Sequence, residues 1–240
     1  MRGLLVTGTD TGVGKTILSA ALLAAMRSDG ERASAYKPVM TGLDDESEIA
    51  ARGDWPADHE LLAAVAGMDP DEVAPLRYGP AVSPALAAQL AGERIDPAQL
   101  LAGAHAASEH ASTLVVEGVG GLLTPLAEDC TVCDLAIALG LPVLIAARPG
   151  LGTINHTVLT LRAARTAGLE VRAVVLTPWP TRPTELHRSN RTTIARLGEV
   201  EVDGLALVRS PDPTCLARAA AHLPWRSWLG EAAPLAVERR

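Results

Sequence analysis

Leu4-Leu5-Val6-Thr7-Gly8-Thr9-Asp10-Thr11-Gly12-Val13-Gly14-Lys15-Thr16 is the stretch on which the fold turns. The apolar run Leu4 to Thr7 predicts a buried strand, and Thr16 to Arg27 places its apolar residues at helical spacing. Between them a glycine-rich loop ends in Lys15-Thr16, the Walker A arrangement in its required strand-loop-helix context. Gly12 and Gly14 let backbone amides curl around phosphate oxygens, while the helix start adds the positive end of its dipole. Lys15 is placed to reach the β- and γ-phosphates, and the Thr16 hydroxyl to ligate Mg²⁺. The spacing departs slightly from the strict pattern: Gly8 stands one residue early, and Thr9 occupies the usual glycine position.

Outward from this loop, Ala33 to Tyr36, Thr113 to Val116, Val143 to Ala147 and Val171 to Leu176 are short apolar runs without polar alternation, as buried parallel strands are. Helical spacing marks Asp58 to Ala66, Pro97 to His110, Thr131 to Leu139, Thr153 to Ala167 and Thr184 to Leu197. Gly30, Gly140, Gly168 and Gly198 read as C-terminal stops. The pattern predicts an α/β fold: one P-loop NTPase-like domain over 1–240, a parallel sheet flanked by helices. In such sheets ligands bind beyond the carboxyl ends of the strands, so the residues after each strand carry the chemistry. Thr177 to Pro183 reads as a long loop.

A formal charge of −7 and the absence of a basic patch argue against nucleic acid or an anionic membrane surface as partner. The longest apolar run, Leu135 to Ala147, falls short of a membrane span. No export signal is visible, and three sparse cysteines suit a reducing, cytoplasmic setting. Cys130 and Cys133 have redox or metal spacing, but no second ligand pair accompanies them, and they open an apolar helix. They are expected in the core. His105 and His110 are expected at the solvated surface, and no proton-transfer role is assigned to His156.

Of 21 basic residues, Lys15 and Lys37 are the two lysines, the first inside the glycine-rich loop motif and the second in Tyr36-Lys37-Pro38-Val39, after the second strand. A compact ammonium on a flexible stem enters a phosphate site where a planar guanidinium fits poorly. Lys37 is therefore a candidate to neutralise charge in phosphoryl transfer, against the plain reading of a strand-end lysine. Glu117 ends a buried strand and leads into Gly118-Val119-Gly120-Gly121, a turn able to approach phosphates, so its carboxylate is a candidate magnesium ligand. Asp58 reads on spacing alone either as a second acidic ligand or as a helix N-cap with Glu60 nearby.

Four motifs together resemble the dethiobiotin synthetase family: Val6 to Thr16, Tyr36-Lys37-Pro38-Val39, Val116 to Gly121, and Leu151-Gly152-Thr153-Ile154-Asn155-His156. They come in order and at similar spacing, from the first strand to about Gly198. The resemblance implies an ATP- and Mg²⁺-dependent ligase of biotin biosynthesis, joining 7,8-diaminononanoate and CO₂ (or bicarbonate) into dethiobiotin with release of ADP and phosphate. It implies that Gly12, Val13, Gly14, Lys15, Thr16 and Ile17 hold the triphosphate, with Gly118, Val119, Gly120, Thr177 and Pro178 also at the nucleotide. It further implies Thr16, Asp58 and Glu117 as the magnesium ligands, and Lys37 on the carbamate and transferring phosphoryl group with Lys15 beside it. Thr11, Lys37, Thr41 and Gly120 would line the diamine end. The turn Leu151, Gly152, Thr153, Asn155 would receive the substrate carboxylate from the partner subunit of a homodimer, at a helix N-terminus.

Two positions depart from the family. Adenine-selective members carry Asn where this chain has Thr177-Pro178-Trp179, which predicts relaxed nucleotide preference. Asn190 stands where a Tyr meets the substrate carboxylate, and its amide is able to donate the same hydrogen bond. The rival readings are weaker. A partition or septum-type switch ATPase has a signature Lys where this chain has Asp10, and the amide-forming enzymes of cobalamin synthesis carry a glutamine-hydrolysing domain that does not fit in 240 residues.

Overall fold

The computed structural model describes residues 1–109 and 111–230. His110, and residues 231–240 of the expected single domain, lie outside the described residues. The first half of the chain forms β1 (Gly3–Gly8), α1 (Lys15–Ser28), β2 (Ala33–Tyr36), β3 (Val39–Met40), α2 (Glu46–Arg52), α3 (Asp58–Ala66), α4 (Pro70–Val73), β4 (Leu76–Arg77), α5 (Pro84–Leu90), α6 (Pro97–Ser108) and β5 (Thr113–Glu117). There follow β6 (Pro125–Ala127), β7 (Cys130–Thr131), α7 (Val132–Leu139), β8 (Val143–Ala147), α8 (Thr153–Thr166), β9 (Val171–Trp179), α9 (Glu185–Gly198), β10 (Glu201–Ala206), α10 (Pro213–Ala220) and α11 (Trp225–Trp228).

The five apolar runs all become strands of one six-stranded sheet in the order β10-β9-β8-β1-β5-β2, with every neighbouring pair parallel. Residues of β1, β2, β5 and β8 are buried throughout, because helices cover both faces. On one face α1 contributes Leu18, Leu22, Leu23 and Met26, each 0% exposed, to a cluster with Leu61 and Leu62 of α3. Each such side chain stabilises the fold by roughly 1.5–3 kcal/mol through burial. On the other face Leu100 of α6, Leu135 of α7, Leu161 of α8 and Ile194 of α9 pack against Leu114, Val116 and Ile145.

Strand order reverses at β1, flanked by β5 and β8, so the loop after β1 leaves the sheet at the crevice between two crossover directions. This single fact places the glycine-rich loop beside the ends of β5 and β8.

Two expectations are corrected. Gly198 belongs to α9 rather than following it, and Glu199 takes the left-handed cap at φ 44. A Cβ on Gly198 would come within 2.6 Å of Leu161 Cδ1, so glycine serves close packing of α9 on α8 there. The expected loop after Leu176 begins only after Trp179, because β10 pairs along β9 as far as Ala206↔Trp179 and the Trp179 ring closes on Gly204. The strand β10 itself is an addition to the five read from sequence. The C-terminal tryptophans, unassigned by sequence, enter the core: Trp225 is 4% and Trp228 1% exposed, and Trp228 Nε1 donates to Glu201 Oε2 at 3.0 Å.

Candidate functional site

Helix α1 is N-capped by Gly14, whose φ of 92 is left-handed and which offers no side chain to cap the helix. The first-turn amides therefore keep no internal acceptor, and an anion at this end satisfies them. Gly14 also fits closely, since a Cβ there would stand 2.8 Å from Thr177 Cγ2. Lys15, 7% exposed, turns back over the loop and donates from Nζ to Asp10 O at 2.9 Å. Burial draws the Lys15 ammonium down to about 8, with nearby Lys37 acting in the same direction and Glu117 opposing.

Four candidate residues from four separate segments converge beside this loop. Thr16 Oγ1 donates to Glu117 Oε1 at 2.8 Å, and Lys37 Nζ donates to the same oxygen at 2.7 Å. Lys37 also donates to Asp58 Oδ2. Lys37 and Glu117 are buried, at 4% and 1% exposure, whereas the Asp58 side chain is 43% exposed. Burial alone would lower the Lys37 pKa, but Asp58 and Glu117 outweigh it, and the result is a raised value and a firmly protonated ammonium. Burial likewise works against the Asp58 carboxylate, yet Lys37 holds its pKa below the ordinary value.

The two readings of Asp58 separate here. Ala57 occupies the N-cap of α3, and the Glu60 side chain accepts the Ala57 N–H at 2.8 Å. Asp58 is the first helical residue, free of capping duty, and its carboxylate reaches Lys37. Glu117 Oε2 is buried without a hydrogen-bond partner among the described residues. An unsatisfied buried carboxylate oxygen beside a hydroxyl and a second carboxylate is an all-oxygen donor set of the kind a hard cation such as Mg²⁺ takes.

The remaining predicted residues sit around this cluster. Thr11 and Gly12 are exposed at the loop tip, with Val13 buried beneath them and Ile17 half-buried in the first turn of α1. Gly118 is buried, and its N–H donates to Val6 O at 2.9 Å. Val119 and Gly120 follow in a turn closed by Gly121 N–H on Thr124 Oγ1 at 2.9 Å. Thr41 is half-buried after β3, and Thr177 is 2% exposed with Pro178 next along β9.

The turn before α8 is open to solvent. Leu151 is 93% exposed, and Gly152 caps the helix with φ 87 and no side-chain bond. Asn155 and His156 are exposed, while Thr153 is buried and pairs with Thr157 Oγ1 at 3.3 Å. Asn190 is 4% exposed and gives its Nδ2 hydrogens to Pro149 O and Gly150 O, both at 3.0 Å. In this geometry it fastens the turn, and its amide hydrogens do not point outward.

A family model described as an AAA domain matches residues 2–211. An ATP-dependent dethiobiotin synthetase BioD of Anaeromyxobacter sp. (strain Fw109-5) is 43% identical over 210 residues, covering 83% of this chain and 91% of the relative. The protein of the same name from Mycobacterium sp. (strain KMS) is 37% identical over 231 residues, covering 95% and 98%. This chain belongs to the dethiobiotin synthetase family. The family's Bacillus subtilis (strain 168) protein is 33% identical over 207 residues, covering 85% and 87%. Among solved structures, a chain of the MinC:MinD cell division protein complex of Aquifex aeolicus superposes with a TM-score of 0.55 over 100% of this chain and 99% of that one. At 15% identity this likeness shows the fold alone.

For a dethiobiotin synthetase family member, sequence reading missed two features. A cleft of about 470 Å³ opens between the phosphate loop, the 121–125 segment and α8, lined by Thr9, Asp10, Gly121, Leu123, Leu159 and Thr160. Leu123 and Leu159 are 63% and 57% exposed, a signal that periodicity conceals because apolar residues are expected inside. Arg148, just past β8, donates to Gly12 O, and nothing in its local sequence marks it. The paired cysteines lie in the core as expected, 7% and 6% exposed, and burial, with Asp134 adding to it, pushes both thiols up. No helix among the described residues is long and apolar enough to cross a membrane.

Proposed function

We propose that this chain carboxylates 7,8-diaminononanoate with CO₂ and closes the ureido ring at the expense of ATP, giving dethiobiotin, ADP and phosphate. The observation that carries the reading is the buried Lys37 ammonium held by Asp58 and Glu117, with Thr16 on the same Glu117 oxygen, directly beside the phosphate loop. A structural strand-end lysine has no need of two carboxylates in a phosphate site.

In this reading one substrate amine attacks CO₂ and loses a proton, giving a carbamate. The carbamate oxygen then takes the γ-phosphoryl group, which leaves ADP. The second amine attacks the carbonyl carbon and loses a proton to solvent, the carbon–oxygen bond breaks, and phosphate departs with the ring closed. Lys37 and Lys15 supply positive charge where the carbamate and the moving phosphoryl group are negative, an electrostatic contribution of the kind that dominates such transfers. The amides from Gly12 to Ile17 cradle the phosphates, Gly118 to Gly120 approach them from the end of β5, and Thr177 and Pro178 stand at the nucleotide. Thr16, Asp58 and Glu117 are the residues that would hold Mg²⁺, which when bound neutralises phosphate charge. Thr11, Thr41 and Gly120 serve the diamine end.

The substrate's methylene chain suits Leu123 and Leu159 in the cleft, whose apolar walls would be covered on dimerisation. The N-terminal end of α8, with Leu151, Gly152, Thr153 and Asn155, would take the substrate carboxylate across a homodimer interface, with Asn190 fixing the loop that leads into it. A cytoplasmic setting agrees with the free cysteines. The chain is read as one folding unit because α10 and α11 share the core of α1.

The test is phosphate release with MgATP and bicarbonate, with and without the diamine, while dethiobiotin is followed by mass. Diamine-dependent phosphate and dethiobiotin in equal amounts, lost in Lys37→Ala, are expected. Phosphate release indifferent to the diamine would sink the reading and favour a nucleotide switch.

A further inference from the structure

The loop from β8 to α8 is fastened at two points, neither of them in the metal or phosphate ligand set. At its start Arg148 donates from Nε and Nη2 to the Gly12 carbonyl oxygen, at 3.3 and 3.1 Å. One residue on, buried Asn190 holds Pro149 O and Gly150 O from behind. The stem of Arg148 thus starts from a fixed backbone. The approach to the phosphate loop is close, since a Cβ on Gly12, at φ +67, would lie 3.1 Å from Arg148 Nη2. Neighbouring strands set the reach: β8 pairs with β1 through Ala146↔Gly8, and Thr9 N–H donates to Ala146 O at 3.0 Å.

We propose that Arg148 is a positioning residue of the phosphate loop, holding the Gly12 carbonyl outward so that the Val13 amide faces the triphosphate. The Gly12 C=O and the Val13 N–H belong to one planar trans peptide and point in opposite directions, so a restraint on one fixes the other. Glycine at a left-handed φ has wide conformational freedom, and without a restraint this peptide is free to rotate. Part of the binding free energy of the nucleotide then goes into ordering the loop. A guanidinium suits the task, because two of its five N–H groups share one acceptor and it stays charged at every accessible pH.

The proposal rests on the nucleotide reading above and is independent of which amine is carboxylated. Calorimetric titration of MgATP into wild type, Arg148→Ala and Arg148→Lys tests it, alongside steady-state kinetics and the thermal midpoint of nucleotide-free protein. Arg148→Ala is expected to bind MgATP about tenfold more weakly, equivalent to about 1.4 kcal/mol. KM for ATP should rise in parallel with kcat within about twofold, because uniform binding is lost. Arg148→Lys should recover part of the affinity, since an ammonium still donates to the same carbonyl. The thermal midpoint of nucleotide-free protein should not move. Unchanged affinity in Arg148→Ala would overturn the proposal, as would a fall in kcat at unchanged affinity, which would place Arg148 on the reacting atoms. A lowered thermal midpoint with no rescue by lysine would overturn it in favour of a structural role. If wild type itself fails to bind MgATP, the nucleotide reading falls, and this proposal with it.

Discussion

Lys37→Met probes the buried charge cluster most directly. In the native fold Lys37 donates to Glu117 Oε1 at 2.7 Å, and Glu117 is 1% exposed. Methionine fills a similar volume but leaves the Glu117 carboxylate with one hydroxyl donor, Thr16. Breaking a buried pair by removing one partner costs about 3–5 kcal/mol, a large share of the roughly 5–15 kcal/mol that holds a domain folded. The Asp58 arm adds little, at most about 1 kcal/mol, because that side chain is 43% exposed and water screens it. Urea unfolding followed by circular dichroism on nucleotide-free wild type, K37M, E117Q and K37M/E117Q reads the effect. K37M should lose stability on this scale, and K37M/E117Q should regain at least about half of it, because no uncompensated buried charge remains. Turnover should behave differently: both K37M and the double variant should fall by at least about 100-fold, because the cation proposed to face the phosphoryl group is missing from each. The reasoning is refuted if K37M stays within about 1 kcal/mol of wild type, or if the double variant is no more stable than K37M.

Further expectations concern the edges of the site. Gly14→Ala forces a Cβ into a φ of 92 and to 2.8 Å from Thr177 Cγ2. The left-handed strain alone costs about 1–2 kcal/mol, and MgATP affinity by calorimetry should drop by more than about tenfold as Thr177 is displaced. With Thr177-Pro178 in place of an adenine-reading Asn, kcat/KM for CTP and GTP should lie within about tenfold of that for ATP. Turnover of ATP alone at matched concentrations would refute it. In native protein a thiol reagent should label Cys215 and spare Cys130 and Cys133, which become reactive on unfolding. Burial raises both buried thiol pKa values, so the folded pKa exceeds the unfolded one. Their contribution to stability is full below the ordinary value of 9.0 and is lost as pH rises through the folded value, which urea midpoints across that window would detect.

The amino-acid sequence by itself determined the phosphate loop, the five apolar strands of the parallel sheet and most helix limits. These features are local: periodicity, a glycine pair before Lys15-Thr16, and caps depend on residues a few positions apart. It also named Lys37, Asp58 and Glu117, but on spacing alone it left Asp58 between cap and ligand, and Lys37 between strand end and catalyst. Tertiary structure put Ala57, not Asp58, at the cap and brought Lys37 onto Asp58 and Glu117, because contacts such as Thr16 to Glu117, 101 residues apart, and Lys37 to Glu117, 80 apart, exist only once β1, β2 and β5 lie side by side. The edge strand Glu201–Ala206 was hidden by its acidic residues and Gly204, which take strand conformation because β9 offers a free edge. Trp225 and Trp228 carried no periodic signal, and only the groove against α1 and β10 fixed them as core. The Arg148 contact with Gly12 lay furthest from local reading: it spans 136 residues and depends on a loop geometry set by the sheet.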